Sequence, residues 1–269
     1  MKLCISEATT LPGTFADDVN HFVGGGCRAM EVWLTKLEKH LELHSVVDTQ
    51  KLIEDAQLTL TAAAYQGGLL LSQGEARRTH FDHYRKRLEL CQTFNIPTLL
   101  VVADFAQVRI DANTLPRCIV SLVEAAQWAA GYNIRIGLEF RGADSFCTCL
   151  DTALMLIAEA DQPNVGVCLD MFHFYKGPSK TEDLARLTNE KLAHVQVCDV
   201  AGVPREWMTD SDRVLPGEGD FHFDPLLARL REIQYSGWIS LELMNPVLWR
   251  LKPTQVTELG MSALRRLDS

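Results

Sequence analysis

Four residues of this sequence place an oxygen-bearing side chain where the surrounding residues would ordinarily exclude one. Glu139 lies in Ile136-Gly137-Leu138-Glu139-Phe140, Asp170 closes Val167-Cys168-Leu169-Asp170, and Glu242 lies in Ile239-Ser240-Leu241-Glu242-Leu243. Gln196 belongs to Ala193-His194-Val195-Gln196-Val197-Cys198-Asp199. Residues two apart share a strand face, so His194, Gln196 and Cys198 point one way and Val195, Val197 and Asp199 the other. A carboxylate buried without a partner costs several kcal/mol or takes up a proton. Several brought together repel one another unless a cation lies among them. Glu139, Asp170, Gln196 and Glu242 therefore form the expected donor set for a divalent metal ion. Three carboxylates and an amide are hard oxygen ligands, which favours Mn²⁺, with Mg²⁺, Co²⁺ or Zn²⁺ as alternatives.

Two further residues belong to the same chemistry. His173 follows Asp170 by three positions and would hydrogen-bond a substrate hydroxyl or shuttle a proton near neutral pH. Arg213, in Asp212-Arg213-Val214-Leu215-Pro216-Gly217, would grip a polyol oxygen or a phosphate; taken alone it reads as a surface Asp–Arg pair beside a tight turn. Glu31, in Met30-Glu31-Val32-Trp33, is expected to line the pocket or to pair with a core arginine. Trp33, Trp207 and Trp249 could wall a sugar site, although ordinary packing accounts for each singly. His40, His44, His80 and His83 lack ligand spacing and read as solvated. No Gly-x-Ser-x-Gly elbow, Walker loop or His-Glu-x-x-His helix occurs.

These residues need a scaffold that gathers strand ends, and the chain supplies the pattern for one. Apolar runs recur at Lys2–Ser6, Ala29–Leu34, Leu58–Ala64, Thr98–Ala103, Ile134–Phe140, Val165–Asp170, Leu192–Asp199 and Trp238–Leu243. Between them lie segments of helical spacing, among them Ala76–Phe94, Leu115–Ala130 and Thr148–Glu159. Eight units in 269 residues give about 34 residues each, the size of one βα repeat. The strands lack polar alternation, as expected when both faces of a parallel sheet are covered. The predicted fold is α/β, a single (β/α)8 TIM barrel spanning 1–269, with an open doubly wound sheet as the alternative. In a barrel, catalytic groups collect at the C-terminal strand ends, and the four donors sit near four such ends.

Composition bounds the remaining possibilities. A hydrophobic content of 47% and a charged content of 23% suit a globular chain with a large core. The net charge of −9 disfavours a nucleic-acid partner. No apolar run approaches the ~18 residues of a membrane span, and the start of the chain lacks a signal-peptide pattern, so the expected location is cytoplasmic. The eight cysteines are scattered without a Cys-x-x-Cys pair and read as reduced, buried thiols.

The stretches GLEFRG, NVGVCLDMFHF, TDSDRVLPGEGDF and GWISLELMNPVLW, together with MEVWLTKLEKHLE, resemble the sugar-phosphate isomerase/epimerase superfamily of xylose-isomerase-like TIM barrels. Within that superfamily the likeness is greatest to the inosose (2-keto-myo-inositol) isomerase-like proteins. The resemblance implies a metal held by Glu139, Asp170, the strand-seven residue and Glu242, with His173 and Arg213 binding substrate oxygens. Inosose-isomerase-like proteins usually carry histidine where Gln196 stands, whereas hydroxypyruvate-isomerase-like and some 3-dehydroshikimate-dehydratase-like members have glutamine. The expected reaction is proton transfer next to the carbonyl of a sugar or keto-polyol through an enediolate, with Glu139 and Glu242 as acid and base. Alternatives are a dehydratase, an endonuclease-IV-like phosphodiesterase, or a non-catalytic sugar-binding subunit. A homo-oligomer is compatible with the family; neither nucleic acid nor membrane is an expected partner.

Overall fold

The computed structural model describes residues 1–104, 110–144 and 146–268. Eight parallel strands close into a barrel in chain order: β1 (Lys2–Ser6), β2 (Ala29–Trp33), β3 (Thr59–Gln66), β4 (Thr98–Val102), β5 (Arg135–Glu139), β6 (Val165–Asp170), β7 (Leu192–Val197) and β8 (Trp238–Leu241). Closure is made by β1 against β8, with Lys2 opposite Trp238 and Ile5 opposite Leu241. Nine helices are assigned among the described residues: α1 (Phe15–Gly24), α2 (Leu34–Leu41), α3 (Val46–Asp55), α4 (Gly74–Thr93), α5 (Thr114–Gly131), α6 (Leu150–Ala160), α7 (Met171–Lys176), α8 (Asp224–Glu232) and α9 (Pro253–Asp268). None is long and apolar enough to cross a membrane. The eight expected strands are all present, and the three expected helices named above fall within two residues of the observed ends.

The barrel has two different interiors. Outward-facing Val, Leu and Ile residues of the strands pack against the helices in one continuous apolar layer that includes Leu99, Leu138, Leu169, Val195 and Ile239. Inside the barrel the apolar fill is small: Ala62, Ala64, Leu100 and Cys168, with Trp33 and Tyr65 packed against them. Small residues leave room above them for long polar side chains, and it is there that the strands place their charges.

The register fixes which charges meet. Asp170 lies opposite Gln196 across β6 and β7, and Gln196 lies opposite Ser240 across β7 and β8. Glu139 is paired with Cys168, one strand further round.

A second buried polar group lies beside the rim. Glu7, immediately after β1, accepts the Trp33 backbone N–H at 2.8 Å, while Lys36 donates to the Thr10 carbonyl at 2.8 Å and to Asp18. Burial and the neighbouring Asp18 charge raise the Glu7 carboxyl well above its usual value, against the opposing pull of Lys36. The folded protein thus keeps on Glu7 a proton that the unfolded chain has lost. Its stabilising contribution is complete below the unfolded value of 4.5 and is lost as pH rises toward the folded one. Glu7→Gln is expected to flatten this decline, so that its melting temperature gains on wild type as pH rises above 4.5. Parallel melting curves above that pH would show that Glu7 carries no such proton.

Candidate active site

The four strand ends deliver their side chains to one chamber at the C-terminal mouth. Glu139, Asp170, Gln196 and Glu242 are all buried, as are His173 and Arg213. Asp170 does two jobs. Its Oδ1 accepts the Phe172 N–H at 2.8 Å and so starts α7, while its Oδ2 accepts Arg213 Nη2 at 2.8 Å. Starting a helix there carries His173 back over the mouth, where Nε2 stands 3.5 Å from Glu139 Oε1 and 3.8 Å from Asp170 Oδ2. The loop after β5 holds α7 in place by backbone contact: a Cβ on Gly142 would stand 2.6 Å from Gly177 N and from the His173 carbonyl, so only glycine fits.

Arg213 is the positive centre of the chamber. Besides Asp170, it donates through Nη1 to Glu242 Oε2 at 3.0 Å and through Nη2 and Nε to Asp210 Oδ1 at 2.8 and 3.1 Å. Its guanidinium lies 4.4 Å from the centre of the Phe172 ring. The plain alternative reading, a surface pair with Asp212, is corrected here: Arg213 is 1% exposed and pairs with Asp210, while Asp212 binds Thr209. The loop is built to present it. Asp199, just beyond β7, accepts the N–H groups of Val200, Gly217 and Phe221, and its backbone bridges to Val214. Asn245 donates to the Arg213 carbonyl at 2.9 Å.

Gln196 bridges carboxylates. Its Nε2 donates to Glu242 Oε1 at 3.1 Å and to Glu31 Oε1 at 2.9 Å, while its Oε1 faces Cys168 Sγ at 3.3 Å. This orientation is electrostatic: an N–H between two carboxylates is attracted to both. Glu31 pairs with His194 Nε2 at 2.8 Å and with Gln196, in place of the expected core arginine. Burial alone would raise Glu31, but hydrogen bonding and charge from His194 hold it below the usual carboxylate range.

The electrostatics separate the groups. Burial, then the nearby Asp170 charge, push Glu139 up to about 8. Burial also raises Glu242, more strongly than Arg213 lowers it. His173 is pushed down to about 4 by burial and is neutral near pH 7, with its Nδ1 buried and without a hydrogen-bond partner among the described residues. Asp210 stays below the usual range because the charge and hydrogen bonds of Arg213 offset its burial. Oxygens of Glu139 and Asp170 and a ring nitrogen of His173 lie within 4.8 Å of one another. That spread suits a single divalent ion, whose bonds to oxygen and nitrogen run to about 2.0–2.6 Å.

The other aromatic and imidazole candidates divide. Trp33 meets Tyr65 edge to face at 5.3 Å beside the small interior cluster, forming one wall of the mouth. Trp249 donates to the Ala8 carbonyl, and Trp207 is 74% exposed. His40 is half-buried, meeting the Phe15 ring at 5.3 Å and stacking on His44. His80 bonds the Gly68 carbonyl and His83 approaches Glu38, so neither is merely solvated. All eight cysteines are free thiols, seven of them buried.

A closed eight-stranded barrel with a carboxylate cluster at its C-terminal mouth defines the class, and the comparison with known families agrees. The chain belongs to the xylose isomerase-like TIM barrel family, whose model matches residues 25–267. It is 28% identical over 260 residues to an inosose isomerase of Halalkalibacterium halodurans, covering 93% of this chain and 90% of that protein. A 3-dehydroshikimate dehydratase of Pseudomonas aeruginosa is 26% identical over 96% of this chain but only 40% of its own length. Among solved structures, the IOLI protein with a bound zinc atom superposes with a TM-score of 0.95 at 25% identity, covering 100% of this chain and 98% of the other.

Proposed function

We propose that this protein is a divalent-metal-dependent isomerase or epimerase of a cyclic or open-chain keto-polyol, with an inosose as the first substrate to test. The observation that carries the reading is the set of buried carboxylates Glu139, Asp170 and Glu242 around Arg213 at the barrel mouth. Full-length similarity to inosose isomerases and superposition on a zinc-bound relative support it.

The donor chemistry fits a metal. Glu139 and Asp170 would hold it, with the His173 ring nitrogen within their reach; Glu242, linked to Asp170 through Arg213, is the further carboxylate ligand we propose. When bound, such an ion polarises a carbonyl and makes the adjacent C–H more acidic.

The chain's own groups supply the rest. Glu139 and Glu242 stand on β5 and just beyond β8, on two sides of the mouth, so that one can remove a proton and the other return it. Return to the neighbouring carbon isomerises, and return to the opposite face epimerises. Neutral His173 offers a substrate hydroxyl a hydrogen-bond partner. Arg213 directs its N–H groups at Asp170 and Glu242 and holds those carboxylates in place while binding a substrate oxygen. Trp33 and Tyr65 offer an apolar wall to the C–H face of a polyol. The dehydratase alternative shares the first proton removal and differs only in expelling a β-hydroxyl afterwards.

The test is incubation of metal-stripped protein with an inosose, before and after adding Mn²⁺, with the products separated chromatographically. The expected result is an isomeric product that forms only with metal. A dehydrated product would transfer the assignment to the lyase, and metal-independent conversion would contradict the proposed site.

A further inference from the structure

His40 and His44 take no part in the chemistry of the mouth, and in a loop their spacing would carry no meaning. The structure places them on a helical turn. α2 is assigned as Leu34–Leu41, but its winding carries on, and the His44 N–H donates to the His40 carbonyl at 3.1 Å. Residues four apart on a helix lie one above the other on a single face. The two imidazoles accordingly stack, with ring centres 4.2 Å apart and planes inclined by 19°. His40 is half-buried, and its ring also meets Phe15, a buried residue of α1, at 5.3 Å. His44 is exposed and has room to turn. Among the described residues no side chain or carbonyl hydrogen-bonds either ring, whereas His21, His80, His83 and His194 each have a partner.

Two adjoining imidazoles with no acid between them suit an anion or a metal ion. An anion needs the rings protonated. Burial, and then the charge of His44, lower His40 below its usual value, so it is neutral near pH 7. A neutral imidazole keeps a ring-nitrogen lone pair, which is the form that binds metals. The geometry agrees. Two metal–nitrogen bonds of about 2.0–2.1 Å hold their nitrogens about 3.3 Å apart in a tetrahedral site. Rings stacked at 4.2 Å reach that separation by a turn of His44, while Phe15 keeps His40 in place. The nearby lysines leave room for a cation: Lys36 is engaged by Asp18 and the Thr10 carbonyl, and Lys39 is exposed and screened. The carbonyl end of α2 also favours positive charge beyond it.

We propose that His40 and His44 form a second metal site, sharing no ligand with the barrel mouth, that takes Zn²⁺, Cu²⁺ or Ni²⁺ with water completing its coordination. Imidazole donors select these ions, whereas the oxygen donors of the mouth suit Mn²⁺ and Mg²⁺. Both rings line a cleft of about 400 Å³ between α2 and the segment leading into α1, through which an ion and its water enter. α2 begins directly after Trp33, so a bound ion clamps the far end of the helix that follows the wall of the mouth.

The experiment is equilibrium dialysis of the metal-stripped protein against Zn²⁺, counting bound metal in wild type, His40→Ala and His44→Ala. Sites elsewhere are common to all three and cancel. Wild type should hold one more Zn²⁺ than either variant. Two linked ligands outbind one by about 10²–10⁴, so each variant should weaken this site about a hundredfold or more. With Cu²⁺, the electron paramagnetic resonance of wild type should show coupling to two nitrogens that both variants lose. Mn²⁺ counts should be equal in all three proteins. His44 is exposed, so His44→Ala keeps the fold and decides alone if His40→Ala does not fold. Equal Zn²⁺ binding by wild type and His44→Ala would overturn the proposal. So would a loss in His44→Ala that folded His40→Ala does not share, which marks a lone surface imidazole. A Mn²⁺ lost along with the pair would overturn the assignment to imidazole-preferring ions.

Discussion

Glu242→Gln is expected to lower turnover by a factor of about 10²–10⁴ while the protein still folds. The substitution keeps shape and volume, and Arg213 retains two of its three carboxylate partners, Asp170 and Asp210. What disappears is the group able to take up and return a proton just beyond β8. Substrate binding should change much less, because neither Arg213 nor His173 is removed. Steady-state turnover and a thermal melt on the same preparation check this. Activity at a tenth of wild type or more would remove Glu242 from proton transfer.

Arg213→Met carries the second large effect, this time on stability as well. The guanidinium is buried and touches Asp170, Glu242 and Asp210 together. Methionine fills much of the space but leaves buried carboxylates facing one another without a counter-charge. Losing one partner of a buried ion pair costs about 3–5 kcal/mol. In a protein of this size that corresponds to a fall in melting temperature on the order of 10 °C. Added Mn²⁺ should restore part of the loss, since a second cation can serve the same carboxylates. Asp210→Asn should cost far less, because Asp210 is 37% exposed and solvent screens it. Equal melting temperatures for Arg213→Met and Asp210→Asn would contradict the central role given to Arg213.

The barrel was legible because its evidence is local. Each strand is a short apolar run and each helix has its own periodicity, and eight such pairs leave little choice of topology. Strand ends moved by up to two residues: β3 runs on to Gln66, β8 stops at Leu241, and β7 ends at Val197, two residues before the expected Asp199, because Asp199 leaves the ladder to bind the loop after it. The strand-end carboxylates were legible for the same reason, as charges inside apolar runs. What the sequence concealed was partnership across the barrel. Glu31 and His194 lie 163 residues apart and meet at 2.8 Å, and no spacing rule connects them. Spacing does not choose between Asp210 and Asp212 as the partner of Arg213; the loop geometry gives it to Asp210. The orientation of Gln196 depends on two carboxylates from β2 and β8 and is invisible without both.

The central claim is that a proton next to a carbonyl is removed and returned inside this barrel. The most direct measurement is proton NMR of ketoses, inososes and keto-acids in D₂O with metal-stripped protein, then with Mg²⁺ restored, which avoids paramagnetic broadening. The expected result is deuterium entering only at carbon next to the carbonyl, only with metal present, and not with Glu242→Gln. Isomeric product formed without any deuterium at that carbon, or exchange that persists without metal and in Glu242→Gln, would contradict it.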